Sequence, residues 1–361
     1  MQRASATFDL GFIGNDKDIK GWAMLAVITG GAGFLGTYLA RRLAEKGALK
    51  GTDGREQEIS RVLVIDPSIK ARHSAPGSHG IPIEREPGSV TDFEQMSRAV
   101  GQGPVSVFHL ASLLPGTTER DLGAALAVNV DGARNVLEAL KRSGASAKFI
   151  STSTIALHTR AADDAVVGDD TSPRPKAVYG LTKIISEQFA LAYQVGAGLD
   201  VRGGRFPAVV IRPVSVASSI GSALSDILRE ISLGRDCEIR VKPETEVLLL
   251  DYQSCIDGLI AVHDADPTLL SEHRFINFPG RLISVAGMVE EAQKAARAAG
   301  REPGKTRLAL NDFLQLTMDR WPLKVDARLA DRIGVPSPPP VENMCRRFLD
   351  DYEQFWKASL Q

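Results

Sequence analysis

The segment Thr29-Gly30-Gly31-Ala32-Gly33-Phe34-Leu35-Gly36 constrains what this chain can fold into more than any other. It joins a short apolar run, residues 24–29 (MLAVIT), to a stretch with apolar residues at Tyr38, Leu39 and Leu43, which reads as strand, tight turn and helix. Gly30, Gly33 and Gly36 permit a tight turn, close approach of a phosphate to the backbone, and close packing of helix on sheet. The N–H groups at the start of such a helix face an anion, and a pyrophosphate fits there. Asp66 ends the next apolar run, Val62 to Ile65, where its carboxylate can accept a hydrogen bond from a ribose hydroxyl. The separation of 36 residues from Gly30 exceeds the usual ~20, and a polar stretch, Gly47 to Ser60, read as a loop, accounts for the excess. A carboxylate at 66 repels a 2′-phosphate, so NAD is favoured over NADP, although Lys70 and Arg72 follow closely.

Further apolar runs without alternation, Val105 to Leu110 and Lys148 to Ile150, suit parallel strands buried on both faces. With helical segments around 119–141 between them, they predict a doubly wound parallel α/β sheet. One more strand is expected at Ala208 to Ile211, returning to that sheet at about 206–213. Beyond it, helices near 221–233 and 251–263, a strand at Phe275 to Phe278 and an Ala-rich helix at 284–299 read as a smaller mixed α/β domain. The proline run Ser337 to Pro340 then precedes a last helix ending near Trp356. The expected division is an extension over 1–23, a dinucleotide-binding domain over 24–200 and a mainly substrate-binding domain over 214–361.

Composition closes off other classes. With 361 residues, 43% hydrophobic and 24% charged, the chain is globular, and a net charge of −1 without a local basic cluster gives no footprint for nucleic acid. No apolar stretch reaches the ~18–20 residues a membrane span needs, and the N-terminus has no apolar core of a signal peptide. Cys237, Cys255 and Cys345 have no metal-ligand spacing and fit a reducing compartment, the cytoplasm. None of the six histidines pairs at i,i+4, so no metal is expected, and His109 reads as a packed core residue.

Tyr179 and Lys183 lie four apart at the start of a helical segment and share one face. A tyrosine works as general acid and base near neutrality only if its pKa falls by about three units, roughly 4 kcal/mol. A lysine ammonium and the positive end of a nicotinamide ring are expected to supply that. The hydroxyls of Ser151-Thr152-Ser153-Thr154 end a strand at the edge where ligands bind in such sheets, and can orient a reacting oxygen.

Together these residues resemble the extended short-chain dehydrogenase/reductase superfamily. The matching motifs are TGGAGFLG (29–36), FHLAS (108–112), VNVDGARNVLEA (128–139), the STST strand end, YGLTK (179–183) and IRP (211–213), in family order. The resemblance implies a Rossmann-type fold, a nicotinamide cofactor and a Ser/Thr–Tyr–Lys set. Its catalytic hydroxyl falls on Thr154, with Ser153 as second choice, and Asn129 helps organise the site. Cofactor contacts are implied at Gly30, Gly33, Phe34, Leu35, Gly36, Asp66, Ser89, Val90, Leu110, Ala111, Ser112, Tyr179, Lys183 and Pro213. The apolar faces at 122–140 and 184–193 fit a homodimer interface, as is common in the superfamily, and fit burial against the sheet equally well.

Three departures weigh against the superfamily's nucleotide-sugar chemistry. Ser215 stands where an asparagine is usual, Val247 where an arginine commonly grips a diphosphate, and Leu157-His158-Thr159 where a tyrosine follows the hydroxyl strand. Gly204-Arg205-Phe206-Pro207, residues 227–245, the FINFPG and ISVAGMVE segments, and Trp321-Pro322 resemble the D-erythronate dehydrogenase-like subgroup, which oxidises a small sugar acid at its C2 hydroxyl. Val214-Ser215-Val216 replaces that subgroup's Gly-Lys-Pro-Asn run, so a changed substrate pocket is expected. The resulting expectation is a dehydrogenase of a small polar substrate. The alternatives are a nucleotide-sugar epimerase or dehydratase that retains NAD, and a non-catalytic dinucleotide sensor.

Overall fold

The structure is a computed structural model that describes residues 23–160, 165–214, 220–270 and 272–357. The chain runs β1 (Met24–Thr29), α1 (Phe34–Lys46), β2 (Ala48–Lys50), β3 (Glu56–Asp66), β4 (His73–Pro76), β5 (Pro82–Pro87), α2 (Phe93–Val100) and β6 (Val105–His109). It continues through α3 (Leu122–Ala125), a π turn at Leu126–Asp131, α4 (Gly132–Ser143), β7 (Ala147–Thr154), a 3-10 turn at Ile155–Leu157, α5 (Val178–Ala197), β8 (Asp200–Phe206) and β9 (Ala208–Val210). The remainder is α6 (Ile220–Ser232), β10 (Cys237–Ile239), β11 (Glu246–Asp251), α7 (Tyr252–Asp264), α8 (Pro267–Leu270), β12 (Phe275–Asn277), β13 (Arg281–Ser284), α9 (Val285–Ala298), β14 (Thr306–Leu308), α10 (Asp312–Asp319), α11 (Arg328–Arg332) and α12 (Val341–Asp351).

The main sheet has the order β12-β8-β7-β6-β1-β3-β5-β4, parallel except for β4, which runs antiparallel to β5. Chain order reverses between β1 and β6, which opens a crevice at their carboxyl ends. Successive strand residues point to opposite faces. Ala26, Ile28, Val62, Val64, Phe108 and Ile150 pack in one core with Leu39 and Leu43 of α1 and Ile256 and Leu259 of α7. Val27, Leu63, Ile65, Val107 and Phe149 pack in a second core with Met96, Val136, Leu137, Leu140 and Ala190 of α2, α4 and α5. Both faces are covered, which is why these strands read as unbroken apolar runs.

Two expectations are corrected. The stretch Gly47 to Ser60 is not a loop: β2 pairs antiparallel with the start of β3, closed by Gly51 N–H donating to the Arg55 carbonyl (2.8 Å) and by Gly54 at φ +79°. The strand expected to return to the main sheet at 206–213 does not do so. β9 pairs with β11, which also carries β13, in a separate three-stranded sheet, and the strands that return are β8 and β12. Pro207, between β8 and β9, has no N–H to continue β8's ladder, and the chain leaves the sheet there. Among the described residues no helix is long and apolar enough to cross a membrane.

Candidate active site

The glycine turn sits at the head of the crevice. Gly30 adopts φ +70°, and a Cβ there would lie 2.6 Å from the Ala111 backbone; one on Gly36 would lie 2.4 Å from Gly31 Cα. These two glycines are therefore demanded by close approach of chain to chain. A Cβ on Gly33, by contrast, would meet only the Gly30 carbonyl at 3.4 Å, so the space before α1 is open. No side chain caps α1 and its first turn carries no acid, which leaves its N–H groups to an anion. Asp66 is fixed beside the turn: its carboxylate accepts from Ala32 N (3.3 Å), Ser68 N (2.9 Å) and Ser68 Oγ (2.6 Å). The turn, the open space and the carboxylate together fit a dinucleotide.

A cavity of about 580 Å³ runs from this turn to Tyr179 and beyond. Gly30, Gly33, Phe34, Leu35, Gly36, Asp66, Leu110, Ser112, Ser153, Thr154, Tyr179 and Lys183 all line it. Ala111, Ser89, Val90, Asn129 and Pro213 are not among its lining residues. Ala111 backs Gly30, while Ser89 and Val90 are held by hydrogen bonds to Gln95 and Asn135 in the segment after β5.

Asn129 acts one layer behind. Buried in the π turn, it accepts from Leu113 N (2.7 Å) and Ser112 Oγ (3.2 Å) and donates to the Leu113 carbonyl (3.1 Å) and Thr182 Oγ1 (3.0 Å). It thereby ties the segment after β6 to the first turns of α5, all four of its amide positions in use. The start of α5 has no cap of its own; Glu119 accepts from Tyr179 N (3.3 Å) and supplies one from a distant segment.

Lys183 Nζ donates to the Thr152 carbonyl (3.0 Å) and lies 5.8 Å from the centre of the Tyr179 ring. Burial pushes Lys183 down to about 8, opposed by Glu187. Burial also pushes Tyr179 up to about 12; the cation that opposes this is Arg212, and Glu119 adds to the rise. The expected lowering of Tyr179 is thus not present in the protein alone, because desolvation outweighs the nearby charge. At the end of β7 the two candidate hydroxyls differ. Thr154 Oγ1 accepts from Ala156 N (3.1 Å), capping the 3-10 turn, whereas Ser153 Oγ is buried with no hydrogen-bond partner among the described residues.

Arg212, Lys176, Arg320, Glu119, His158, Phe313 and Trp321 also line the cavity, and no sequence pattern had marked them as site residues. Arg212 adjoins Pro213 in the IRP motif; the others come from a loop, from α10 and from its C-terminal end, which only the tertiary fold brings here. Val247, in contrast, is buried in β11 and lies within the core. Ser215 and Val216 lie outside the described residues, as does the extension up to residue 22.

Similarity to known proteins agrees with this geometry. The chain is 29% identical to D-erythronate dehydrogenase of Cupriavidus necator over 91% of its own length and 98% of that protein. It is 22% identical to the enzyme of that name from Haemophilus influenzae over 91% and 99% of the two chains. Its fold matches the crystal structure of a nucleoside-diphosphate-sugar epimerase from Agrobacterium tumefaciens with a TM-score of 0.79 at 22% identity, covering 99% of both chains. Residues 26–250 match the NAD dependent epimerase/dehydratase family. The chain belongs to that family, as an oxidoreductase of the short-chain dehydrogenase/reductase type that uses a nicotinamide dinucleotide.

Proposed function

We propose that this protein is an NAD-dependent dehydrogenase that interconverts a secondary alcohol and a ketone on a small anionic polar substrate, a sugar acid of the D-erythronate type. One observation carries this reading. The cavity that joins the glycine turn to Tyr179, Lys183 and the β7 hydroxyls also collects three cations, Lys176, Arg212 and Arg320, suited to a carboxylate. The relatives named D-erythronate dehydrogenase support it.

Gly30, Gly33, Gly36 and Asp66 would hold the dinucleotide, which when bound supplies the hydride acceptor and the positive ring that the sequence reading invoked. Asp66 favours NAD, and Arg72 is drawn away from a 2′-phosphate by Glu84 (3.2 Å) and Glu86 (3.9 Å). Tyr179 takes the proton from the substrate hydroxyl or returns it to the ketone. Ser153 and Thr154 orient that oxygen, Lys183 is anchored by Thr152, and Asn129 keeps α5 in register with the segment after β6. Burial of Val247 in the core leaves no charged partner there for a diphosphate, which weighs against the nucleotide-sugar alternative. The chain is further proposed to pair as a homodimer through exposed Leu122, Leu126, Leu181 and Ile185, and to work in the cytoplasm, where its three buried thiols stay reduced.

The test follows NADH absorbance with NAD or NADP and a panel of D-erythronate, other four- to six-carbon sugar acids and nucleotide sugars. NADH formed from a sugar acid with NAD is the expected result. Conversion of a nucleotide sugar without net NADH, and silence with every acid, would overturn the reading.

A further inference from the structure

His158 follows the 3-10 turn after β7, lines the cavity and is 4% exposed. Both of its ring nitrogens are buried, and neither has a hydrogen-bond partner among the described residues. A buried polar group left unbonded costs about 1–3 kcal/mol, so such a ring calls for a reason. The Ser172 carbonyl lies near enough to favour the protonated ring, though outside hydrogen-bond geometry. Were the ring to settle onto that carbonyl, it would use one nitrogen only, and an imidazole has two. The second nitrogen would then still have no partner among the described residues, in a side chain that lines the cavity a ligand enters.

Burial and the neighbouring Arg205 charge push His158 down to about 4, so the ring is neutral at pH 7. A neutral imidazole that commits its N–H to a carbonyl presents a lone pair with its other nitrogen. A lone pair takes a hydroxyl proton; a carboxylate oxygen has none to give and is served instead by Arg212, Lys176 and Arg320. The chemistry asked of the ligand is therefore a hydroxyl beyond the one that reacts. We propose that His158 accepts a hydrogen bond from a second substrate hydroxyl, so that the site selects a polyhydroxylated acid over a simple hydroxy acid. This rests on the dehydrogenase reading above and narrows its substrate class.

The test pairs D-erythronate with 2-hydroxybutanoate, which keeps the C2 hydroxyl and lacks those at C3 and C4. Wild type should prefer D-erythronate by at least about 100-fold in kcat/KM, as sites built to bond a hydroxyl do. His158→Phe should cut that ratio to below about 10-fold, chiefly by raising KM for D-erythronate. In parallel, ring ¹⁵N signals of labelled histidine are recorded on the wild-type NADH complex titrated with D-erythronate, 2-hydroxybutanoate or UDP-glucose, with His158→Phe identifying the signal. A His158 shift with D-erythronate or UDP-glucose that is absent with 2-hydroxybutanoate supports the assignment. A ring unmoved by any of the three, or a ratio undiminished in His158→Phe, overturns it. If wild type oxidises neither acid, the dehydrogenase reading falls, and the ring signal alone then decides the role of His158.

Discussion

At the end of β7 two adjacent hydroxyls carry different burdens. Thr154 Oγ1 accepts the Ala156 N–H, and a capping hydroxyl of this kind stabilises by about 1 kcal/mol. Accepting leaves its proton free to donate, so Thr154 can cap and still orient a substrate oxygen. Ser153 Oγ, 4% exposed as a residue, has no hydrogen-bond partner among the described residues and draws no hydrogen-bond stability from them. Removing such a hydroxyl is neutral or favourable to folding, so its retention points to the ligand. Ser153→Ala should therefore leave the melting temperature unchanged or raised while kcat/KM falls at least about 100-fold. Thr154→Val should instead lose about 1 kcal/mol in urea unfolding. Full activity in Ser153→Ala would return the orienting role to Thr154 alone. Tyr179→Phe bounds the same chemistry: NAD binding by calorimetry should persist and turnover drop by orders of magnitude, and near-normal turnover would remove Tyr179 from the reaction. At this scale the sequence was legible where backbone geometry dictates the residue type, as at Gly30 and Gly36, and the cavity also brings together Tyr179 and Lys183, four apart on one helix. It was silent on Phe313 and Arg320, because nothing in a side chain's own identity announces that a distant cavity will reach it, and it marked the segment of His158 only as a departure from the superfamily.

Elements were readable in proportion to how far their own residues dictate their burial. β1, β6 and β7, covered on both faces, announced themselves as apolar runs. The β2–β3 hairpin is polar along much of its length, with alternating exposure in Glu56 to Ser60, and therefore resembled a loop. β9 was visible as a strand, but the choice of β11 over the main sheet depends on where residues 41 positions away arrive. The helices around α5 raise the converse problem: an apolar face that the chain does not cover. Leu122, Leu126, Leu181 and Ile185 are exposed on α3, the π turn and α5, and α3 packs on α5. An apolar surface of this kind would suit the homodimer interface proposed above. Light scattering after size exclusion should give twice the chain mass for wild type, and a monomer for Leu181→Glu combined with Ile185→Lys. A monomeric wild type would reject the pairing, and a dimeric double variant would place the interface elsewhere.

The molecule as a whole buries histidines on both sides of its sheet and keeps them neutral. His109, paired with Thr29 Oγ1 at 2.9 Å, is driven down to about 3 by burial and the Lys183 charge. His263, between Ser106 Oγ and the Asp264 carboxylate at 2.7 Å each, is held near 4 because burial outweighs that carboxylate. His158 lies at about 4 as well. In the unfolded chain each returns to about 6.5, so between those values the unfolded state binds more protons and stability rises with pH. The stability these rings contribute is complete above pH 6.5 and is lost as pH falls toward 4. Each lowered histidine adds a slope of at most about 1.4 kcal/mol per pH unit, so the three together reach at most about 4 kcal/mol per pH unit, in the middle of that window. Asp169 and Asp251, raised by burial, oppose this only at the acidic end of the window. A domain stable by about 5–15 kcal/mol cannot absorb such a slope over two units without large loss. Urea midpoints should hold constant from pH 7.5 to 6.5 and then fall steeply, with cooperative unfolding setting in between pH 5 and 4. A midpoint that stays level down to pH 4.5 would mean that these rings take up protons without leaving the core, and that burial of neutral histidine is not what ties this fold to neutral pH.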